Sequence, residues 1–179
     1  MNSTSTLQRL RIRAARVADA TALCAAERDT TRIPGRLVSR PDELQEAAFA
    51  QKIEQLAQTG CYLVAERDGA IAGHALLEPL APLQALEHVR SLTIVVHPAH
   101  TGQGVGAALM AALLYWASTA GVEKIELRVR DGNAAALHLY RKFGFEEEGR
   151  LRRRIRLPDG TDVDDICMAR FLERARQAS

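Results

Sequence analysis

The positions of apolar and polar residues along the chain predict short strands that alternate with amphipathic helices. Residues 8–16 alternate apolar and basic side chains in their first half, which is typical of a half-buried strand. A short helix is predicted over residues 19–26, and a second helix runs from an N-cap at Asp42 to Gly60. Residues 30–41 contain two prolines and a glycine, so this connection is predicted to be a loop.

The middle of the chain changes to a pattern of strands. Asp68-Gly69 separates two short apolar runs, and this dipeptide predicts a tight hairpin. Two β-α units follow, in which Gly121 ends the first helix and Asn133 caps the second. The predicted strands after the hairpin cover residues 88–98, 122–130, 145–157 and 161–170.

The element order β-α-α-β-β-β-α-β-α-β-β predicts an α+β fold. It fits a single domain with a mixed, mostly antiparallel central sheet flanked by helices, and it does not fit a doubly wound parallel sheet. A chain of 179 residues also fits one domain better than two. We place the domain at residues 8–172 and expect flexible termini at residues 1–7 and 173–179.

Composition and charge exclude several classes of function. The chain is 47% hydrophobic and 26% charged, as in ordinary globular proteins, and its net charge of +2 does not indicate nucleic acid or an anionic membrane as a partner. Three cysteines without metal-ligand spacing argue against a metal site or a disulfide framework. No stretch resembles a membrane span or a signal peptide, so we expect a cytoplasmic protein.

The most informative stretch is TGQGVG, where a predicted strand passes into a helix. Gly102, Gly104 and Gly106 alternate there, and glycine lets the backbone approach a ligand closely. The N–H groups and the dipole at the start of the following helix favour an anion such as a pyrophosphate. A glycine-rich turn without a ligand is the alternative interpretation.

Two common phosphate motifs fit this stretch poorly. A Walker loop needs a Lys-Ser/Thr pair after its glycines, and none follows here. The dinucleotide fingerprint is formally met by Gly102, Gly104 and Ala107. However, only about seventy residues follow it, which leaves no room for a second nucleotide-binding half.

Two segments in the second half of the chain resemble the GNAT superfamily of N-acetyltransferases. HPAHTGQGVGAALM and NAAALHLYRKFGF are similar to the family patterns HPxxRGxGxG and NxxAxxLYxKxGF, in the same order. VAERDGAIAGHALL is similar to the family's central hairpin, and the last two predicted strands are similar to those of its amino-acid and small-amine branches. The resemblance spans about residues 8–172 and implies the acyl-CoA N-acyltransferase fold.

The resemblance implies acetyl-CoA as the co-substrate. The pantetheine arm of the cofactor is then expected beside the strand before the glycine loop, at Ile94, Val95 and Val96. The pyrophosphate is expected at the residues of the loop and the helix start, namely Thr101, Gly102, Gln103, Gly104, Val105 and Gly106. Thr101 stands where the family usually has Arg or Gln. A threonine offers no charge to a phosphate, which raises the question whether the loop binds CoA more weakly than in the family.

The second motif implies further contacts with the cofactor and a proton donor. Asn133 is a good N-cap, and in the family the equivalent residue also contacts the cofactor arm, beside Ala136. Tyr140 lies two helical turns after Asn133 on the same face. Its phenol, with an ordinary pKa of about 10, is able to protonate the departing thiolate. The alternative is a core tyrosine packed beside Phe143.

The general base is the least determined part of the site. Many family members have a glutamate on the strand before the loop, but residues 88–96 contain no acid. His88 is the candidate because its side chain titrates near neutral pH. Glu78, Glu87 or an ordered water chain are the alternatives.

The arginines between residues 150 and 156 raise the question of nucleic-acid binding. Several aspartates lie across the predicted hairpin, at residues 162–165, so cross-strand charge pairing is the simpler interpretation.

Together, these features predict an acetyl-CoA-dependent N-acetyltransferase. We expect direct transfer in a ternary complex to the primary amine of a small molecule such as an amino acid, because no cysteine lies in either motif. The alternatives are an acyl-CoA-binding sensor without activity, or acetylation of a protein N-terminus or lysine. A homodimer is possible, as among relatives of the family.

Overall fold

A computed structural model describes residues 10–173 of the chain, and one sheet of seven strands forms its centre. The predicted flexible termini lie outside the described residues, apart from Glu173. The strands are β1 (Arg11–Ala14), β2 (Cys61–Arg67), β3 (Ala70–Pro79), β4 (Val89–Val96), β5 (Lys124–Arg130), β6 (Glu146–Arg156) and β7 (Asp162–Phe171). The α-helices are α1 (Ala20–Thr31), α2 (Glu46–Thr59), α3 (Val105–Thr119) and α4 (Ala134–Lys142).

The strand order in the sheet is β1-β2-β3-β4-β5-β7-β6. All neighbours are antiparallel except β4 and β5, which are parallel. The predicted α+β class, with a mixed and mostly antiparallel sheet, is therefore confirmed. In the part of the chain that the structure describes, no helix has the length and apolar character to cross a membrane.

The predicted start of the second helix is wrong. Asp42 lies in a 3-10 turn, Pro41–Glu43, and the N-cap of α2 is Gln45. Proline suits the first position of a helical turn, but Leu44 is extended (φ −87°, ψ 121°) and separates that turn from α2. Helix α1 also continues to Thr31, beyond the predicted boundary at residue 26.

The predicted hairpin between β2 and β3 is confirmed. Asp68 and Gly69 form a two-residue turn, and both have positive φ angles, of 52° and 79°. This combination is the type I′ turn that Asp-Gly favours. The turn sets the register of the hairpin and brings Arg67 to its tip.

The sheet has a helical layer on each face. Helices α3 and α4 cover one face, where Leu109 and Leu113 belong to the same core as Ile125 of β5. Helices α1 and α2 cover the other face of β2 and β3, where Leu23 and Leu56 belong to a second core. Because side chains alternate along a strand, β2 and β3 contribute to both cores.

The predicted pairing of arginines and aspartates across the last hairpin is confirmed. Asp162 contacts Arg156 at 2.8 Å and Arg153 at 2.8 Å, and Asp165 contacts Arg154 at 3.1 Å. These charges therefore neutralise one another along β6 and β7, as expected for opposite charges on neighbouring strands.

The parallel strands β4 and β5 separate soon after they meet. Their pairing covers Val89–Ser91 of β4 and Lys124–Glu126 of β5. Beyond this point, residues 92–96 pair with β3 on one side and have no register partner in β5 on the other. The sheet therefore opens into a cleft beside the carboxyl half of β4.

Candidate active site

Two adjoining cavities follow the divergence of β4 and β5. The larger, about 700 Å³, lies between the two strands and is called the cleft. The smaller, about 520 Å³, lies between α4 and the glycine loop, residues 100–106, and is called the loop cavity. Both cavities are lined by Ile94, Val95, Asn133, Ala136 and Tyr140. They form one groove, with these residues at its middle.

The glycine loop presents open backbone to the loop cavity. Gly102 and Gly104 have φ angles of 73° and 79°, a region that non-glycine residues rarely adopt, and an added Cβ on either would meet no atom within 4 Å. Helix α3 begins directly after Gly104, and the N–H groups of its first turn, at Val105 and Gly106, have no acceptor within the helix. The cradle fits a diphosphate, since both open backbone and a positive dipole end are present.

The side chains of Thr101 and Gln103 stabilise the loop itself. The N–H and the hydroxyl of Thr101 both donate to the carbonyl of Pro98, at 3.4 Å and 3.0 Å. The amide of Gln103 donates to the carbonyl of Ala99 at 3.0 Å, and Gln103 does not line either cavity. These donors are thus engaged within the loop, and Thr101 also lines the loop cavity.

Arg67 is a residue of this region that sequence reasoning missed. Its guanidinium donates to the side chain of Gln103 and lies 3.4 Å from the Gln103 carbonyl oxygen. The Arg67 Nε atom is buried and has no partner among the described residues. Because Gly73 of β3 pairs with Val96 of β4, the hairpin tip lies next to the loop. That long-range register is not visible in the local sequence.

The predicted N-cap at Asn133 is confirmed, since its Oδ1 atom accepts a hydrogen bond from the Ala136 N–H at 3.2 Å. Tyr140 is 6% exposed, and its ring packs at 5.8 Å from that of Phe145. No residue between 10 and 173 forms a hydrogen bond with the Tyr140 hydroxyl, although the side chain lines both cavities. Burial raises the pKa of Tyr140 to about 12, so the hydroxyl stays protonated and is available to donate.

The structure does not bring His88 to the groove. His88 is exposed, precedes β4 at the closed end of the β4–β5 pair, and lines neither cavity. Glu87 is likewise exposed and outside both cavities. Glu78 of β3 does line the cleft, but Lys52 of α2 binds its carboxylate.

Several charged residues of the cleft had no sequence signal. The cleft is lined by Glu27 of α1, by Glu126 of β5 and by Glu148 of β6. Arg36 lines both cavities and forms no ion pair with a residue in the described range. Cys167 of β7 is the cysteine in the cleft lining. These residues come from separate elements, so only the folded chain reveals their proximity.

Comparison with protein families identifies the same region. The family model described as "Acetyltransferase (GNAT) family" matches residues 22–145. Two curated relatives are the N-alpha-acetyltransferase RimI of Mycobacterium tuberculosis, 40% identical over 57% of this chain, and the L-amino acid N-acetyltransferase AaaT of Escherichia coli, 35% identical over 60%. The matches cover 61% and 66% of those proteins, so the chain spans less than two thirds of either.

A solved structure of similar fold contains a cofactor. It is yncA, a putative acetyltransferase from Salmonella typhimurium with its cofactor acetyl-CoA, and it has a TM-score of 0.85 to this chain. The match covers 96% of this chain and 98% of the Salmonella chain. At 20% sequence identity it shows a similar fold and nothing more.

Proposed function

This chain belongs to the acetyltransferase (GNAT) family, and we propose that it transfers an acetyl group from acetyl-CoA directly to the primary amine of a small molecule, such as an amino acid. One observation carries the proposal. The glycine loop, the open side of β4 and the cleft form a single groove, with Tyr140 at its middle. The glycine loop offers a site for phosphate, the open side of β4 a site for an extended chain, and the cleft a polar pocket. This is the order that an acyl-CoA and an acceptor require.

The cofactor half of the groove is assigned as follows. Ile94, Val95 and Val96 lie where β4 has lost its partner strand, so their main chain offers hydrogen bonds to an extended pantetheine arm. Gly102, Gly104 and the start of α3 hold the pyrophosphate. Arg67 binds Gln103 of the loop and lines neither cavity, so it adds positive charge near this end of the groove without lining it.

Tyr140 is the proposed proton donor. Acetyl-CoA supplies an activated acyl carbon whose leaving group is a thiolate. The protonated hydroxyl of Tyr140, without a partner in the described residues, lies at the junction of the two cavities and is placed to give that thiolate its proton. Asn133 fixes the start of α4 and thereby the position of the tyrosine on that helix.

The acceptor half is the cleft, and its charges fit an amino acid. Carboxylates line it for an ammonium group, and Arg36, unpaired within the described range, offers a site for a carboxylate at the boundary with the loop cavity. The continuity of the groove supports direct transfer, since it offers room for both substrates at the same time. The cytoplasmic location and the homodimeric state stay predictions from the sequence.

A second acceptor class is a protein N-terminus, which the mycobacterial relative named N-alpha-acetyltransferase favours. The test measures free thiol after mixing the protein with acetyl-CoA and one amine at a time. The panel contains free amino acids, the same amino acids as C-terminal amides, and short alanine-initiated peptides. We expect thiol release with free amino acids and a marked loss with the amides, because Arg36 then has no carboxylate to bind.

The other outcomes are equally specific. Faster release with peptides than with free amino acids would move the acceptor to a protein N-terminus. Binding of acetyl-CoA without release for any amine would favour a sensor module, the alternative that the missing acid on β4 supports.

A further inference from the structure

Behind the wall of the cleft, three side chains from three different elements form a buried chain. The Tyr62 hydroxyl of β2 lies 2.9 Å from Nδ1 of His74 on β3. Nε2 of His74 lies 3.0 Å from a carboxylate oxygen of Glu27 on α1. His74 is 1% exposed and Tyr62 is 6% exposed, whereas Glu27 lines the cleft. The chain therefore begins in the interior and reaches the groove only at Glu27.

The central histidine contacts both neighbours through its two ring nitrogens. Burial, assisted by the negative charge of Glu27, raises the pKa of Tyr62, so its hydroxyl stays protonated and shares a hydrogen bond with Nδ1 of His74. In the tautomer in which Nδ1 accepts from Tyr62, the ring hydrogen lies at Nε2, the atom beside Glu27. The contact is off the line of a straight hydrogen bond, and Nε2 has no other partner in the described residues.

Glu27 differs from the other acidic residues of the cleft in its partner. Glu126 and Glu148 both contact the ammonium of Lys124, at 2.9 Å and 3.0 Å. Glu78 contacts the ammonium of Lys52. A carboxylate that is paired with a cation is a weaker base, because the cation favours its ionised form. Among the described carboxylates of the cleft lining, Glu27 is the one whose partner is an imidazole ring and not a lysine ammonium.

The location of Glu27 also suits a proton acceptor. His74 pairs in register with Val95, which lines both cavities and belongs to the segment assigned to the pantetheine arm. Glu27 reaches the cleft from the α1 face of the sheet, while Tyr140 reaches it from the α4 face. Two groups able to exchange protons thus flank the place where the thioester and the amine meet.

We propose that Glu27 accepts the proton of the acceptor ammonium, and that His74 and Tyr62 are positioning residues that hold its carboxylate at the cleft. This inference rests on the proposed function. The neutral amine nitrogen then forms a bond to the acyl carbon, and the bond from that carbon to sulfur breaks. The second nitrogen proton reaches the sulfur through the Tyr140 hydroxyl, and Glu27 releases its proton to solvent. One ammonium and one thioester thus give one amide, one thiol and one proton.

The test compares Glu27→Gln with the unsubstituted protein, using an amine that is active in the thiol-release assay. At pH 7 we expect kcat/KM for the amine to fall by about 10²-fold or more, the usual loss for one acid–base group. The deficit should shrink as the pH approaches 10, because an alkyl amine with a pKa of about 10 then loses its proton in solution. The rise in Tm caused by CoA should be unchanged, which reports on folding and cofactor binding separately from activity.

Two further variants complete the experiment. Glu54→Gln makes the same isosteric change on the exposed side of α2, outside both cavities, and should leave the rate unchanged. Glu27→Asp retains a carboxylate at a greater distance from the amine, and we expect an intermediate rate. Each variant is compared with the unsubstituted protein over the same pH range.

The positioning role is tested with Tyr62→Phe. We expect a deficit of several-fold that also shrinks with rising pH, because the carboxylate is present but less well oriented. This variant removes the Tyr62 hydroxyl and leaves the other ionisable groups around Glu27 unchanged. Those groups are His74, His97, Asp19, Arg36 and Glu78. A purely structural role of Tyr62 predicts a deficit that is equal at pH 7 and pH 10.

The outcomes separate this inference from the function on which it rests. Equal rates for Glu27→Gln and the unsubstituted protein at pH 7, or a deficit that does not change with pH, would overturn the role of Glu27 alone. No thiol release by the unsubstituted protein with any amine would overturn the proposed function together with the inference.

Discussion

The two halves of the groove are built in different ways. The cofactor half is formed mostly by one contiguous segment, the end of β4, the glycine loop and the start of α3, followed by α4. The acceptor half collects residues from α1, from β3 and from β5 to β7, which lie far apart in the sequence. The half proposed for the cofactor thus depends on local backbone geometry, which a motif records. The half proposed for the acceptor is assembled by long-range packing and leaves no motif.

The largest effect is expected where the two halves meet, at Tyr140. Tyr140→Phe keeps the ring against Phe145 but removes the proton for the thiolate. Turnover should fall by roughly 10²–10⁴-fold, whereas the affinity for CoA and the Tm should change little, since the hydroxyl has no hydrogen-bond partner in the described residues. Steady-state rates and CoA titrations of both proteins provide the measurement. Near-normal turnover would leave Tyr140 as a packing residue only.

The next largest effect is expected on the folding stability and comes from His97, which lies between β4 and the glycine loop. Burial lowers the pKa of His97 to about 4, and its Nδ1 donates to the Ile71 carbonyl at 2.8 Å. The unfolded chain, with an ordinary histidine pKa near 6.5, therefore binds the proton first as the pH falls. The stability from this group is complete above about pH 6.5 and decreases towards pH 4, by about 3 kcal/mol in all.

The pH dependence is measured by denaturant unfolding between pH 7 and pH 4. His97→Asn retains a donor for Ile71 without a titrating ring, and its stability should decline less over this range. An identical decline in both proteins would mean that other groups cause it.

The glycine loop gives a smaller effect that is confined to the cofactor half. Gly104→Ala places a methyl group in the space proposed for the pyrophosphate, and we expect CoA to bind roughly tenfold more weakly, equal to about 1.4 kcal/mol. Gly121→Ala is the matched control, because Gly121 also has a positive φ (73°) and open space around it but lies after α3, outside both cavities. The two variants share the backbone strain, so calorimetric titration with CoA isolates the steric effect. Equal affinities of the two variants for CoA would contradict the proposal that the glycine loop binds the pyrophosphate.

The smallest effect is expected for Arg67. Arg67→Gln should weaken CoA binding by a few-fold at low salt, since one charge near the phosphates is lost, and the difference should decrease as salt screens it. Arg11→Gln removes the same charge from an exposed position on β1 and should leave the affinity unchanged. A loss of affinity that is independent of salt would assign Arg67 to bracing Gln103.

The sequence predicted the element order because hydrophobic period and turn residues act locally, as at Asp68-Gly69 and Asn133. The error at Asp42 arose where two local preferences competed, since Pro41 began a turn that Leu44 then interrupted. The interpretation of His88 combined its titration near neutral pH with its position, in sequence, at the start of the strand before the glycine loop. In the fold, the cleft opens at the other end of that strand.

The residues that sequence reasoning missed share one property. Arg67 and His74 reach their positions through strand register, and Glu27 does so through the packing of α1 on the sheet. Register between distant strands depends on the whole fold and not on a window of sequence. A motif search therefore finds the glycine loop and does not find the chain Glu27–His74–Tyr62.

The brief pairing of β4 with β5 also has a consequence for cooperativity of folding. Strands β1 to β4 form one antiparallel ladder and β5 to β7 form another, and three residue pairs join the two ladders directly. Local opening in native proteins follows such weakly connected units. A molecule seated in the cleft between residues 92–95 of β4 and residues 126–130 of β5 touches both ladders, so it adds contacts between them. Amide hydrogen exchange at the boundary between β4 and β5 should therefore be slower when the groove is filled than when it is empty.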